Sequence, residues 1–262
     1  MVKAFFGIRE GRFIDPSDSR GVLVDCTGEL RLNLLVDKIG RERFKDIDGV
    51  IVYEDSVTDF LDLFLGKRAP GCVLRVGSRG SEEGAGREWA EKLVVNALRR
   101  DFSALIYRLT IGHEDERLDS SSMSAMTMLS TVCNEYELPL MAEVAPRGER
   151  VTRENYVDCV GLAARMAVEA GASVVAVPFL GDPEVFRKVV DAVKTPTFLI
   201  DPLCGYTLLK PRSSLQETVR SLLEAGLNGV ILGPSLARSR NPDKLLADML
   251  SIVHGGSGVG CR

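Results

Sequence analysis

The stretch GASVVAVPFLGDPEVFRKVV, residues 171–190, decides the fold. Gly171 closes one helical segment. Ser173–Phe179 is an apolar, β-branched run of the kind that forms a parallel strand buried on both faces. Asp182-Pro183 then supplies an N-cap and a proline at the first helical position, which predicts a helix over 182–194. In a (β/α) barrel, such a strand-to-helix turn is where chemistry sits. This strand carries only Ser, Val, Ala, Pro and Phe, so the reactive group must come from elsewhere.

The same unit repeats along the chain. Strand-like runs occur at Val22–Asp25, Gly49–Tyr53, Cys72–Gly77, Ala104–Leu109, Pro139–Val144, Ser173–Phe179, Pro196–Asp201 and Gly229–Gly233. Segments with a one-sided apolar stripe lie between and after them, at 32–44, 57–65, 87–100, 123–136, 154–170, 182–194, 214–226 and 241–253. Asn241-Pro242 opens the last as Asp182-Pro183 opens the sixth, and Gly226, like Gly171, ends a helix before a strand. Eight strand–helix units in strict alternation predict one α/β domain over residues 1–262, a (β/α)8 TIM barrel. A doubly wound open sheet is the alternative, and eight units favour closure. The polar insert at 77–88, GSRGSEEGAGRE, reads as a surface loop at the rim of the site.

Composition narrows the function. A net charge of −4 carries no basic footprint for nucleic acid. The longest apolar runs fall far short of the roughly 20 residues needed to cross a membrane. MVKAFFGIREGRF meets charge within a few residues and makes a poor secretory signal, so the expected location is cytoplasmic. Six scattered cysteines with no CxxC pair read as buried thiols. Two histidines, His113 and His254, exclude a His-rich metal site and disfavour a Ser-His-Asp triad. One Gln, few Asn and more Arg than Lys point toward a thermophile.

The active face of a barrel lies at the C-terminal ends of its strands. The charged residues found there, inside otherwise apolar runs, are Asp25, Arg75, Glu143 and Asp201; Arg108, Arg147 and Ser235 lie at other strand ends. A charge in such a place must be paired. The set reads either as structural carboxylate–arginine pairs filling the top of the barrel or as a polar lumen for a small ligand.

The segments LPLMAEVAPRGERV (138–151), AARMAVEAGASVVAVPFLGDPEVFRKVV (163–190) and GVILGPSLARSRNPDKLLADMLSIVHGG (229–256) resemble the archaeal-type class I aldolases of the deoxyribose-phosphate aldolase superfamily. The resemblance runs from Val22 to Gly256 and implies the aldolase-type barrel. It also implies a lysine on strand six that forms a Schiff base with a ketone, and Ala176 falls at its position. The family's tyrosine before PRG is replaced by Ala145, its glycine pair after strand seven by Asp201-Pro202, and its Gly-Arg after strand eight by Gly233-Pro234. Asp25 matches the family's strand-one aspartate. Lys210 falls near a lysine that some members carry.

Three functions stay open on this reading. The first is an aldolase-family lyase acting on a small oxo or hydroxy compound without the usual lysine. Asp25, Glu143 and Asp201 would then serve as acid/base groups or hold a divalent metal, and Arg75, Arg108, Arg147 and Ser235 would bind substrate. The second is an inactive relative that binds a metabolite or a partner subunit. The third is a Schiff-base aldolase using Lys210. No organic cofactor is expected, and no nucleic acid or membrane partner. The resemblance implies a homo-oligomer.

Overall fold

The structure is a computed structural model that describes residues 7–67, 69–77 and 86–255. Most of the insert at 77–88 and Cys261 therefore lie outside the described residues. Eight parallel strands close into a barrel in sequence order. They are β1 Gly21–Asp25, β2 Gly49–Val52, β3 Gly71–Arg75, β4 Ala104–Ile111, β5 Leu140–Pro146, β6 Val174–Val177, β7 Thr197–Ile200 and β8 Gly229–Leu232. The expected alternation is met. The helices are α1 Leu32–Phe44, α2 Glu54–Val57, α3 Arg87–Arg99, α4 Glu116–Glu135, α5 Tyr156–Glu169, α6 Pro183–Val193, α7 Leu215–Glu224, α8 Pro234–Arg238 and α9 Pro242–Val253. No helix among the described residues is long and apolar enough to cross a membrane.

Three elements differ from the sequence reading. The stripe at 57–65 is mostly a 3-10 segment, Thr58–Phe64, broken at Phe60, because a short run led by β-branched Val57 and Thr58 has little helix propensity. Helix α4 starts seven residues before the expected Met123, since its first two turns, ERLDSSS, are too polar to show a stripe, although Asp115 caps them at Arg117 N. The five-residue α8 follows β8 directly, with Pro234 in its first turn.

The barrel has two apolar layers. Outward-facing strand residues pack under the helices, while Leu23, Ile51, Ile106, Met141 and Phe198 fill the interior. The lower opening is closed by the chain's own start. Phe13 and Ile14, following a 3-10 turn at Glu10–Arg12, are buried against the interior cluster. This plug needs glycine at the strand starts. A Cβ on Gly71 would lie 2.7 Å from Arg12 O, and one on Gly49 2.9 Å from Phe13 Cβ.

The C-terminal helix is locked to the same end. His254 meets Asp18 through Nδ1 at 2.6 Å and Asp48 through Nε2 at 2.9 Å, and Asp48 also accepts Val22 N–H. Burial opposes a charge on this imidazole, but hydrogen bonds and negative charge from Asp48 and Asp18 outweigh it and lift its pKa from 6.5 to about 9.

Two outcomes are expected. Phe13→Ala should lower unfolding free energy by about 3–5 kcal/mol in a denaturant titration, because the plug leaves a cavity. Because the folded-state pKa of His254 is raised, its contribution is full below pH 6.5 and fades as pH rises through about 9. The stability gap between wild type and His254→Gln should therefore shrink across that window.

Candidate functional site

Inward-facing positions at the upper ends of β1, β3, β4 and β5 are charged, and their register brings them together. Arg108 and Glu143 are partners across β4 and β5, and Glu143 and Ala176 across β5 and β6. Arg75, at the end of β3, reaches across the lumen. One terminal nitrogen bonds Asp25 Oδ2 at 2.8 Å and the other meets Glu143 Oε2 at 2.5 Å. β1 and β5 lie four strands apart in a ring of eight, so this guanidinium links opposite walls.

Glu143 is the centre of the cluster. Its Oε1 accepts from Arg108 Nε at 2.6 Å and from the Tyr206 hydroxyl at 2.7 Å. Asp25 is fixed from the other side by Thr27, whose N–H and hydroxyl donate to Oδ1 at 2.9 and 2.5 Å. Arg75 and Glu143 side chains are only 5% and 3% exposed, and burial is tolerated because each meets the other and further partners, Asp25 for Arg75 and Arg108 and Tyr206 for Glu143. Burial would raise the Glu143 pKa, but the charges of Arg75 and Arg108 and the Tyr206 bond hold it at about 2. Burial next to Glu143 pushes the Tyr206 phenol well above its usual value. Neither group exchanges a proton near neutrality.

Tyr206 was not foreseen. It enters from the long β7–α7 loop, lays its ring against Arg108 at 5.1 Å, and packs with Cys204 on the interior cluster. The only signal for it was an aromatic in the Gly- and Pro-punctuated run DPLCGYTLLKP, whose path no local pattern specifies.

Asp201, at the end of β7, stands apart from this cluster. Its carboxylate accepts Gly233 N–H at 2.9 Å, Ser235 N–H at 2.8 Å, the Ser235 hydroxyl at 2.7 Å and Leu203 N–H at 2.9 Å. Ser235 is thus engaged within the chain. Four donors on one buried carboxylate fill the anion-accepting surface between the β7 and β8 loops, where barrels frequently bind phosphate.

Lys210 turns onto its own loop, donating to Pro202 O at 2.5 Å and Cys204 O at 3.3 Å. Arg147 is exposed just beyond β5. Ala176 is fully buried in the interior cluster. The remaining strand-end residues serve the scaffold. Tyr107 bonds Ser122 O, and His113 bonds Asp119 at the start of α4. Among the described residues, the one group of three side chains close enough to share a metal is Asp15, Asp18 and His254, at the opposite end of the barrel. Asp25, Glu143 and Asp201 do not form such a group, because guanidinium groups and backbone amides already engage them.

Glu143→Gln should lower stability by about 3–5 kcal/mol in chemical denaturation, because it strands Arg75 without its partner. Replacing a solvated carboxylate such as Glu169 should have little effect.

Comparison with known proteins places this barrel in a family. The sequence profile of the DeoC/LacD family aldolases matches residues 94–236, more than half of the chain. An uncharacterized aldolase of Saccharolobus solfataricus is 26% identical over 172 residues, covering 64% of this chain and 60% of that protein. A class 1 fructose-bisphosphate aldolase of Thermoproteus tenax is 31% identical over 122 residues, 46% of this chain and 45% of that protein. The matches thus span about half the length of these relatives. A crystal structure of an archaeal fructose 1,6-bisphosphate aldolase superposes with a TM-score of 0.70 over 95% of this chain and 98% of that one, at 19% identity, a likeness of fold. With its closed eight-stranded barrel and its profile match, the chain belongs to the DeoC/LacD aldolase family.

Proposed function

We propose that this protein binds a small, non-phosphorylated oxo or hydroxy compound at the mouth of its barrel and has given up imine chemistry. The observation that carries this is the Asp25–Arg75–Glu143–Arg108 chain of ion pairs. Two guanidinium groups and two carboxylates balance there, and the adjoining position on β6 is the methyl of Ala176. A Schiff base requires an amine that sheds its proton readily. Arginine does not supply one, and the Lys210 ammonium donates to carbonyls of its own loop. Asp201 supports the non-phosphorylated class, since its carboxylate engages the donors that a phosphate would need.

Absence of catalysis fits the protonation states, because Glu143 stays ionised and Tyr206 stays protonated near neutrality. A catalytic reading is favoured by one feature. Arg75, Arg108 and the Tyr206 hydroxyl converge on Glu143 Oε atoms, and a ligand carbonyl placed beside them would be polarised.

Borohydride reduction in the presence of dihydroxyacetone phosphate or pyruvate tests the proposal. Intact-mass analysis should find no adduct, and a reduced adduct on Lys210 would overturn it. Ala176→Lys should lower stability by about 1–3 kcal/mol through overpacking of a fully buried position, read as a fall in melting temperature. It should also yield no trapped imine.

A further inference from the structure

Arg75 carries an unmet demand. Its side chain is 95% buried, yet its Nε–H has no hydrogen-bond partner among the described residues. A buried donor left unpaired is costly, and the exceptions mark places where a water or a ligand belongs. The neighbouring acceptors are already engaged. Asp25 is divided between Arg75 and Thr27, and Glu143 between Arg75, Arg108 and Tyr206. The missing acceptor must come from outside the cluster.

A second anchor lies on the adjacent strand. Arg108 holds Glu143 through Nε. Among the described residues its two terminal nitrogens make no bond, and 42% of its side chain is exposed. A planar fork of this kind suits a carboxylate. Across β3 and β4, Arg75 pairs with Ile106, so Arg108 lies two residues further along β4. Both guanidinium groups nevertheless meet on the two oxygens of Glu143, at 2.5 and 2.6 Å, and a compact molecule spans both. The four-membered set is already balanced with Arg108 included, so a ligand carboxylate there is held by the open terminal nitrogens of Arg108 and not by a surplus of charge.

Resting on the non-imine reading above, we infer that the mouth of this barrel is a site for a small 2-oxo or 2-hydroxy monocarboxylate, with the ligand's carbonyl or hydroxyl oxygen on Arg75 Nε–H and its carboxylate on the Arg108 fork. The two oxygens sit on adjacent carbons in such a molecule. Acetate lacks the first oxygen and dihydroxyacetone lacks the carboxylate, so each satisfies half of the site.

The full chain, labelled with nitrogen-15, should be titrated with pyruvate, lactate, acetate and dihydroxyacetone while arginine Nε–H resonances and melting temperature are followed. Pyruvate or lactate should shift the Arg75 Nε–H resonance and raise the melting temperature. Acetate and dihydroxyacetone should bind at least tenfold more weakly. Arg108→Gln, a partly exposed position, should weaken pyruvate binding at least tenfold and leave the Arg75 resonance in its unliganded place. Equal response to acetate and pyruvate, a response unchanged in Arg108→Gln, or no response to any probe, with only water on Arg75, would each sink the inference. The non-imine reading fails separately, on a borohydride-reduced pyruvate adduct.

Discussion

A guanidinium held across the lumen between carboxylates on opposite walls governs the upper half of this barrel. Arg75 links Asp25 on β1 to Glu143 on β5, and Glu143 in turn holds Arg108 and Tyr206. Isolated, any of these charges would destabilise a fold by several kcal/mol. Together they form one connected network in which burial strengthens each bond because the surroundings screen it little. The same bonds that make burial tolerable also hold Glu143 ionised and Tyr206 protonated. The stability of the cluster and the protonation states of its members therefore have one cause.

The choice of arginine matters to the chemistry. A lysine in a barrel lumen can lose its proton and attack a carbonyl, whereas arginine stays charged and only donates hydrogen bonds. In this chain the central cation is on β3, and β6 contributes an alanine methyl beside Glu143. The charged groups that meet in the upper lumen are thus two arginines and two carboxylates. The β7–α7 loop adds Tyr206, whose ring lies against Arg108, and turns Lys210 Nζ onto its own carbonyls.

The two ends of the barrel use different physics. The lower end is closed by apolar Phe13 against glycine-lined strand starts, with the His254 imidazole pinned between two aspartates beside the plug. The upper end is polar and ionic. Separating them keeps the packed core independent of the site, as in other barrels where one face serves stability and the other ligand chemistry.

Much of this was legible in residue order. Alternating apolar runs and amphipathic stripes specified a closed barrel, because buried parallel strands and their covering helices each leave a local period. Asp25, Arg75, Glu143 and Asp201 stood out as site candidates, because charges inside apolar strands demand partners. The partners themselves belong to the tertiary structure. Nothing in the sequence says that Arg75 spans β1 to β5, that Asp201 joins the β8 amides and not the other carboxylates, that Tyr206 reaches Glu143 from a loop, or that Phe13 plugs the lower end. Each of these joins residues far apart in the chain, and the closure of the barrel brings them within bonding distance. Local pattern determined which side chains face inward, and the geometry of closure decided which of them meet.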